Sequence, residues 1–313
     1  MIRFARLGVT LVIVISAANA HSADTPAKYK TQNIVLFVMD GARYSETWGE
    51  PTHQYIPNLA GPLAKEGATF TQFKNKGTTK TDPGHTALVT GFYEDLENSG
   101  KVLPAHASFL QAWLKSTGQP KTSAWIVASK DKLEILGNTR DPEWNGKFTP
   151  STDCGLKGLG TGYRPDEATW EAVKSTLSRD HPRLLVINFQ EPDSSGHKKD
   201  WVRYIHGIQD KDEYAGQLWK LLQADPFYAG KTAFFLTNDH GRHLDSKGGF
   251  QTHGDDCEGC RHIFLYAAGP DFKKNAIIDT EREQIDVPAT IAELLGIPLP
   301  DCKGHVITEL FEK

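Results

Sequence analysis

The sequence predicts an α/β protein, a three-layer α/β/α sandwich built around a mostly parallel central sheet. Three observations carry that expectation. Apolar runs recur as continuous blocks, at 33–40 (NIVLFVMD), 184–189 (LLVINF) and 232–237 (TAFFLT), as in strands buried on both faces. Helix-length amphipathic segments separate them, the alternation of a sheet covered on both sides. Asp and His residues stand just past the strand-like runs, where the loops at strand carboxyl ends gather and ligands bind.

In chain order, 33–40 is the first strand and ends in Asp40. Residues 57–66 carry a helical pattern, and 67–70 an extended return. Pro83-Gly84 marks a turn before a helical stretch in GTTKTDPGHTALVTG. Residues 106–116 place Phe109, Leu110, Trp113 and Leu114 on one helical face, and 123–129 (SAWIVAS) reads as the next strand. Residues 130–166, rich in Gly, Asp, Pro and Lys, have no clear period and read as a loop-rich excursion over the active edge. A helix at 167–177 feeds the strand at 184–189. Residues 199–224 are helical in pattern, 232–237 a strand, 239–261 a polar loop, 262–268 a strand and 287–295 a closing helix. The chain shows no internal repeat and no low-complexity tract.

The first twenty of the 313 residues differ from the rest. Arg3 and Arg6 precede the short apolar stretch VTLVIVIS, and Ala18-Asn19-Ala20 supplies a cleavage signal. This is the pattern of a signal peptide, with an apolar run too short for a good membrane span. The expected organisation is a signal peptide (1–20), a flexible leader (21–31) and one catalytic domain (32–313), in a periplasmic or secreted protein with no membrane span after signal removal. Without the first twenty residues the chain has 33 basic against 39 acidic side chains. That mild acidity argues against a general nucleic-acid surface. Cys154, Cys257, Cys260 and Cys302 are an even set in an exported chain, which favours disulfides. The plainest pairing is a local Cys257–Cys260 loop and a Cys154–Cys302 bridge; a CxxC can also be redox-active or bind zinc.

Six residues at the strand ends are candidate metal ligands: Asp40, Asp193, His197, Asp239, His240 and His253. Singly, each has an ordinary role as a turn or surface residue. Jointly, three Asp and three His suit a pair of divalent cations, and a metal pair suits phosphoryl chemistry. Thr81 begins the helical stretch after the turn. A threonine hydroxyl there can face a phosphate held by helix amides, and metal coordination can turn it into a nucleophile.

These motifs in this order resemble the alkaline phosphatase superfamily, nearest its nucleotide pyrophosphatase/phosphodiesterase and phosphoglyceromutase-like branches. The residues that carry the resemblance are Asp40-Gly41, Thr81-Asp-Pro-Gly-His85, Asp193-Ser-Ser-Gly-His197, Asp239-His240-Gly241 and His253-Gly254. It implies an alkaline phosphatase-like fold and an exported two-metal phosphohydrolase acting through a covalent phosphothreonine on Thr81. One metal would bind Asp193, His197 and His253. The other would bind Asp40, Asp239, His240 and the Thr81 oxygen. Carboxylate and imidazole ligands suit Zn²⁺, with Mn²⁺ or Fe²⁺ as alternatives. The implied substrate is a small-molecule phosphate ester. A diester is slightly favoured over a monoester, for want of a dedicated Arg against the extra phosphate charge.

Candidate substrate contacts are Asn98, Lys80 and Lys101, with Arg43 a weaker one. Asn98 is similar in neighbourhood to a phosphate-donating Asn of the phosphodiesterase branch, at shorter spacing. His85 is expected to orient the nucleophile loop and Asp82 to point away from phosphate. His243 is a further candidate as ligand or as donor to one, against a surface role as its ordinary reading. Thr81 stands where related sulfatases carry a Cys, so their formylglycine chemistry is not open to this chain. The chain also lacks room for the inserted domain of the phosphoglycerate mutases. The alternative function is a catalytically silent metal-binding protein with the same fold.

Overall fold

A computed structural model describes residues 1–2 and 28–312, so the signal-peptide expectation lies almost wholly outside the described residues. The strands in chain order are β1 (Asn33–Met39), β2 (Gly67–Lys74), β3 (Ala124–Ala128), β4 (Ser151–Cys154), β5 (Leu184–Phe189), β6 (Thr232–Thr237), β7 (His262–Ala268), β8 (Ala276–Ile278) and β9 (Arg282–Glu283). The helices are α1 (Thr81–Thr90), α2 (Phe109–Thr117), α3 (Asp166–Asp180), α4 (Asp193–His197), α5 (Trp201–Ala224), α6 (Glu258–Arg261) and α7 (Asp286–Leu295).

Among the described residues, all nine strands join one sheet, ordered β4-β3-β5-β1-β6-β7-β2-β8, with β9 also on β2. β7 is antiparallel to both of its neighbours, and every other pairing is parallel. The continuous apolar strands are explained by burial on both faces. In β1, Ile34, Leu36 and Val38 join a core with Leu88 of α1, Phe109 and Leu110 of α2, and Val287 and Ile291 of α7. Val35, Phe37 and Met39 face the opposite core, with Trp170 and Val173 of α3 and Tyr204, Ile208 and Leu218 of α5. Fully burying a side chain of this kind contributes about 1.5–3 kcal/mol, so both helical layers are held by the period-two alternation of β1 and its neighbours.

Three expectations need correction. Residues 57–66 form turns with a single 3-10 turn at Leu63–Lys65 rather than a helix. Pro57, Gly61 and Pro62 explain the difference, since proline removes a backbone donor and glycine adds entropy. The excursion at 130–166 hides a 3-10 run (Asp131–Gly137) and the edge strand β4, whose four mostly polar residues (STDC) carry no periodic signal. All four cysteines are free, so neither expected disulfide is present. Cys154 Sγ lies 3.9 Å from Ile126 O and Cys302 Sγ 4.0 Å from Gly91 O, which places the two on different contacts. Among the described residues, no helix is long and apolar enough to cross a membrane.

Candidate active site

Strands β5, β1 and β6 are consecutive in the sheet and parallel. Their carboxyl ends therefore lie side by side, about 4.8 Å apart per strand. Asp40 follows β1, Asp239 and His240 follow β6, and the short helix α4 after β5 carries Asp193 and His197 four residues apart, on one face.

Asp40, Asp239 and His240 converge. His240 Nε2 stands 3.3 Å from Asp239 Oδ2 and 3.8 Å from Asp40 Oδ1. All three atoms are buried; Lys130 Nζ lies 2.9 Å from Asp40 Oδ1 and His85 Nδ1 3.3 Å from Asp239 Oδ2, while His240 Nε2 has no hydrogen-bond partner. The opposite atoms of the same side chains are held: Asp40 Oδ2 accepts from Asn188 Nδ2 (2.9 Å), Asp239 Oδ1 accepts from Gly41 N (3.1 Å) and His240 Nδ1 faces Gly241 O (2.8 Å). Each group thus has one atom pinned away from the cluster and one turned into it, the arrangement of oriented metal ligands. An orphaned buried polar atom such as His240 Nε2 is costly, and a shared divalent cation would satisfy it together with the two carboxylate oxygens beside it.

The second group lies alongside. His197 Nε2 and His253 Nε2 are 3.1 Å apart, and each is 3.4 Å from Asp193 Oδ1. His253 Nδ1 faces Thr79 O at 2.8 Å, which leaves its Nε2 lone pair toward the cluster. Burial, with His240 beside it, holds the His253 imidazole down at about 2, so it is neutral. The His240 and His253 rings stack, with centroids 3.8 Å apart, so the two groups share a wall. The donor sets, two carboxylates with one imidazole and one carboxylate with two, fit divalent cations of the zinc type. Burial and the neighbouring Asp239 push the Asp40 carboxyl up to about 7. Burial also acts on Asp193, but Lys130 and the two histidines outweigh it and hold that carboxyl well below its usual range.

Thr81 is the first residue of α1 and is buried. Its Oγ1 lies 3.2 Å from Lys130 Nζ. The same ammonium lies 2.9 Å from Asp40 Oδ1 and 2.7 Å from Asp193 Oδ2. Lys130 therefore touches the nucleophile candidate and one carboxylate of each group. These carboxylates outweigh burial and raise its pKa, so it stays charged. His85 links Thr81 O (2.9 Å from Nδ1) to Asn188 Nδ2 (3.1 Å from Nε2), the orienting role expected of it. Gly84 allows α1 to abut the segment that follows β6: a Cβ there would lie 2.4 Å from Asp239 O.

The expected substrate contacts are placed unequally. Asn98 Oδ1 accepts from Asp82 N (2.9 Å) and Lys132 Nζ (2.8 Å), which clamps its loop onto the start of α1. Asp82 is itself buried and paired with Lys132 (3.2 Å) and Gly100 N (2.8 Å). Lys80 is exposed, with its stem against Gly254 beside His253. Lys101 is exposed, and its ammonium has no polar partner among the described residues. Arg43 is buried and engaged by Glu46 (2.6 and 2.8 Å) and Asp245 (2.8 Å), so it is not available to phosphate.

The sequence reading missed Lys130, Lys132, Asn188 and Arg242. Arg242 is fully buried and donates to Asp193 Oδ1 and, at 2.9 Å, to Gln251 O. A signal for Lys130 existed, since it stands two residues past β3 and so obeys the strand-end rule that found Asp40. Asn188 is the one polar residue in LLVINF.

A mostly parallel sheet with two Asp/His groups and a threonine-tipped helix at its strand ends defines a member of the alkaline phosphatase superfamily. The chain belongs to the sulfatase family, whose family model matches residues 32–297. It is 27% identical over 262 residues to human ectonucleotide pyrophosphatase/phosphodiesterase family member 7, covering 74% of this chain and 53% of that one. It is 28% identical over 222 residues to mouse family member 1, covering 62% of this chain and 22% of that one. The chain thus spans about half or less of these curated relatives. Murine ectonucleotide pyrophosphatase/phosphodiesterase 5 shares its fold (TM-score 0.65, 16% identity, 90% of this chain and 100% of that chain). So does a phosphonate monoester hydrolase from Silicibacter pomeroyi (TM-score 0.65, 12% identity, 89% and 76%).

Proposed function

We propose that this chain is an exported, metal-dependent phosphoric ester hydrolase with Thr81 as nucleophile, and that it favours phosphodiesters. The observation that carries the reading is the contact of Lys130 Nζ with Thr81 Oγ1 at 3.2 Å while it also pairs with Asp40 and Asp193. Asp193, His197 and His253 would hold one cation, and Asp40, Asp239, His240 and Thr81 the other, Zn²⁺ being the best match to the donors. When bound, the pair supplies Lewis-acid polarisation and charge neutralisation. Thr81 Oγ1 attacks phosphorus, the ester bond to the leaving alcohol breaks, and the threonine proton ends on that alcohol. Water then releases the phosphoryl group from Thr81. Lys130 holds a positive charge beside the reacting oxygens throughout. The helix N-terminus at Thr81 favours the anion.

Asn98, Lys80 and Lys101 are the proposed substrate contacts. The diester preference is supported by charge: Arg43 and Arg242 are both engaged by protein carboxylates, which leaves neither guanidinium for a second phosphate charge. One catalytic domain (32–313) behind a signal peptide (1–20) and leader (21–31) completes the reading. In support, murine ectonucleotide pyrophosphatase/phosphodiesterase 5 has been solved as an inactive threonine-to-alanine protein in complex with AMP. The test compares bis-p-nitrophenyl phosphate with p-nitrophenyl phosphate. Faster diester turnover that disappears with EDTA and in Thr81→Ala is expected. Undiminished turnover in Thr81→Ala would sink the mechanism.

A further inference from the structure

Outside the two strand-end groups lies a third convergence. His243, Asp255, Cys257 and Cys260 bring one ligand atom each to within 4.8 Å of one another. A tetrahedral zinc site with bonds of about 2.0–2.3 Å needs ligand atoms roughly 3.3–3.8 Å apart, so a small closure reaches that geometry. Both thiols are free, and Cys260 is buried. His243 Nε2 is buried without a hydrogen-bond partner and stands 3.2 Å from Asp255 Oδ1. Its other nitrogen, Nδ1, faces Thr252 Oγ1 at 2.8 Å. With Nδ1–H donating to that hydroxyl, Nε2 keeps its lone pair for a metal, and the ring is fixed as in known metal sites.

The backbone is shaped for the same closure. A Cβ on Gly259 would lie 2.5 Å from Arg242 O and 2.8 Å from Leu244 N, so only glycine lets the Cys-Glu-Gly-Cys turn close on the segment that carries His243. Cys257 N donates to Asp255 Oδ1 (3.0 Å), Cys260 N to Cys257 O (3.0 Å) and Gly241 N to Cys260 O (2.8 Å).

We propose that His243, Asp255, Cys257 and Cys260 form a third, structural metal site that binds Zn²⁺. Two thiolates, a carboxylate and a neutral imidazole complete four ligands with no open position, as in structural rather than catalytic zinc sites. Binding replaces the two thiol protons, which pass to solvent, so affinity rises with pH. The site ties together a loop whose other residues do different work. Gly241 follows His240, and His253 lies between Thr252 and Asp255. Thr79 also holds this loop, through Asp255 O (2.8 Å) and His253 Nδ1 (2.8 Å). Zinc at the third site would therefore fix both His240 and His253. The competing fate of these cysteines is a Cys257–Cys260 disulfide, which would remove both thiolates.

The site shares no residue with the strand-end groups, so its test stands apart from the hydrolase reading. The full chain, purified with its zinc, is assayed for metal content. It is then stripped and loaded with Co²⁺. The strand-end groups contain no sulfur, so a thiolate-to-cobalt charge-transfer band reports the third site alone. The band is expected in the wild type and in His240→Ala, and is expected to be lost in C257S/C260S together with one zinc per chain. Thr252→Val keeps all four ligands and is expected to weaken zinc retention about 10–100-fold, which covers the case in which the double variant fails to fold. Reduced wild type without the band, or a Cys257–Cys260 disulfide found by mass spectrometry in the natively exported protein, would overturn the proposal.

Discussion

Lys130 Nζ donates to Asp193 Oδ2 at 2.7 Å, in a place where both side chains are shut off from solvent. Removing one member of a buried ion pair leaves the other charged and unpaired, at a cost of about 3–5 kcal/mol. Lys130→Met is therefore expected to lower the unfolding free energy of EDTA-treated protein, measured in urea, by that order. The loss should shrink when zinc is added, because zinc would neutralise the same carboxylates. Catalytic efficiency on the diester should fall roughly 10²–10³-fold, the scale for losing one electrostatic stabiliser. Wild-type kcat/KM in this variant would remove Lys130 from the site.

Metal removal should act on stability as well as rate. Three buried atoms, Asp40 Oδ1, Asp239 Oδ2 and His240 Nε2, converge, and His240 Nε2 has no hydrogen-bond partner. A cation bound only by the folded state at a hundred times its Kd adds about 2.7 kcal/mol. Chelation should lower Tm accordingly, and zinc should restore it. In His240→Ala, the zinc-dependent rise in Tm should be clearly smaller. An unchanged rise would place the cation elsewhere.

Gly84→Ala tests the contact of α1 with the segment that follows β6. Its new Cβ would sit 2.4 Å from Asp239 O, a backbone atom that cannot swing aside. Overpacking of this kind costs about 1–3 kcal/mol. The displaced Asp239 should also weaken metal retention in a chelator competition. A variant with unaltered retention would show that the strand end tolerates the shift.

Asn98→Ala removes the acceptor for Asp82 N and Lys132 Nζ. Each bond is worth about 0.5–1.5 kcal/mol net, more to a charged donor. A modest loss in Tm and a raised KM are expected. Stability loss with KM unchanged would restrict Asn98 to holding its loop.

The protein should lose stability in alkali. Burial raises the phenols of Tyr204, Tyr228 and Tyr266 above their ordinary value of 10.0. Groups with a raised folded pKa stay protonated in the fold and ionise first in the unfolded chain. Their contribution is thus complete below pH 10 and is lost as pH rises beyond it. Urea midpoints measured from pH 8 to 11 should be level at first and then fall. A level profile to pH 11 would contradict the burial of these rings.

Much of the fold could be read along the chain because β1, β5 and β6 are buried on both faces and must be apolar throughout. The sequence boundaries 184–189, 232–237 and 262–268 coincide with β5, β6 and β7. β4 could not be read, because a four-residue edge strand with one neighbour needs no apolar run. Residues 57–66 misled, because their apolar spacing hid two prolines.

By itself the sequence determined which residues are candidate ligands and which threonine is the candidate nucleophile. Asp40, Asp239 and Asp193 follow strands, and strand order along the chain puts such residues at one edge of a parallel sheet. The tertiary structure supplies the physical reason for the division that the resemblance implied. β1 and β6 are neighbours, so Asp40, Asp239 and His240 form one group. α4 and the loop at His253 form the other. Folding alone also placed Lys130 between the groups and brought His243 to the two cysteines. Such contacts depend on which strands lie side by side and where a loop turns back, and local chemistry fixes neither.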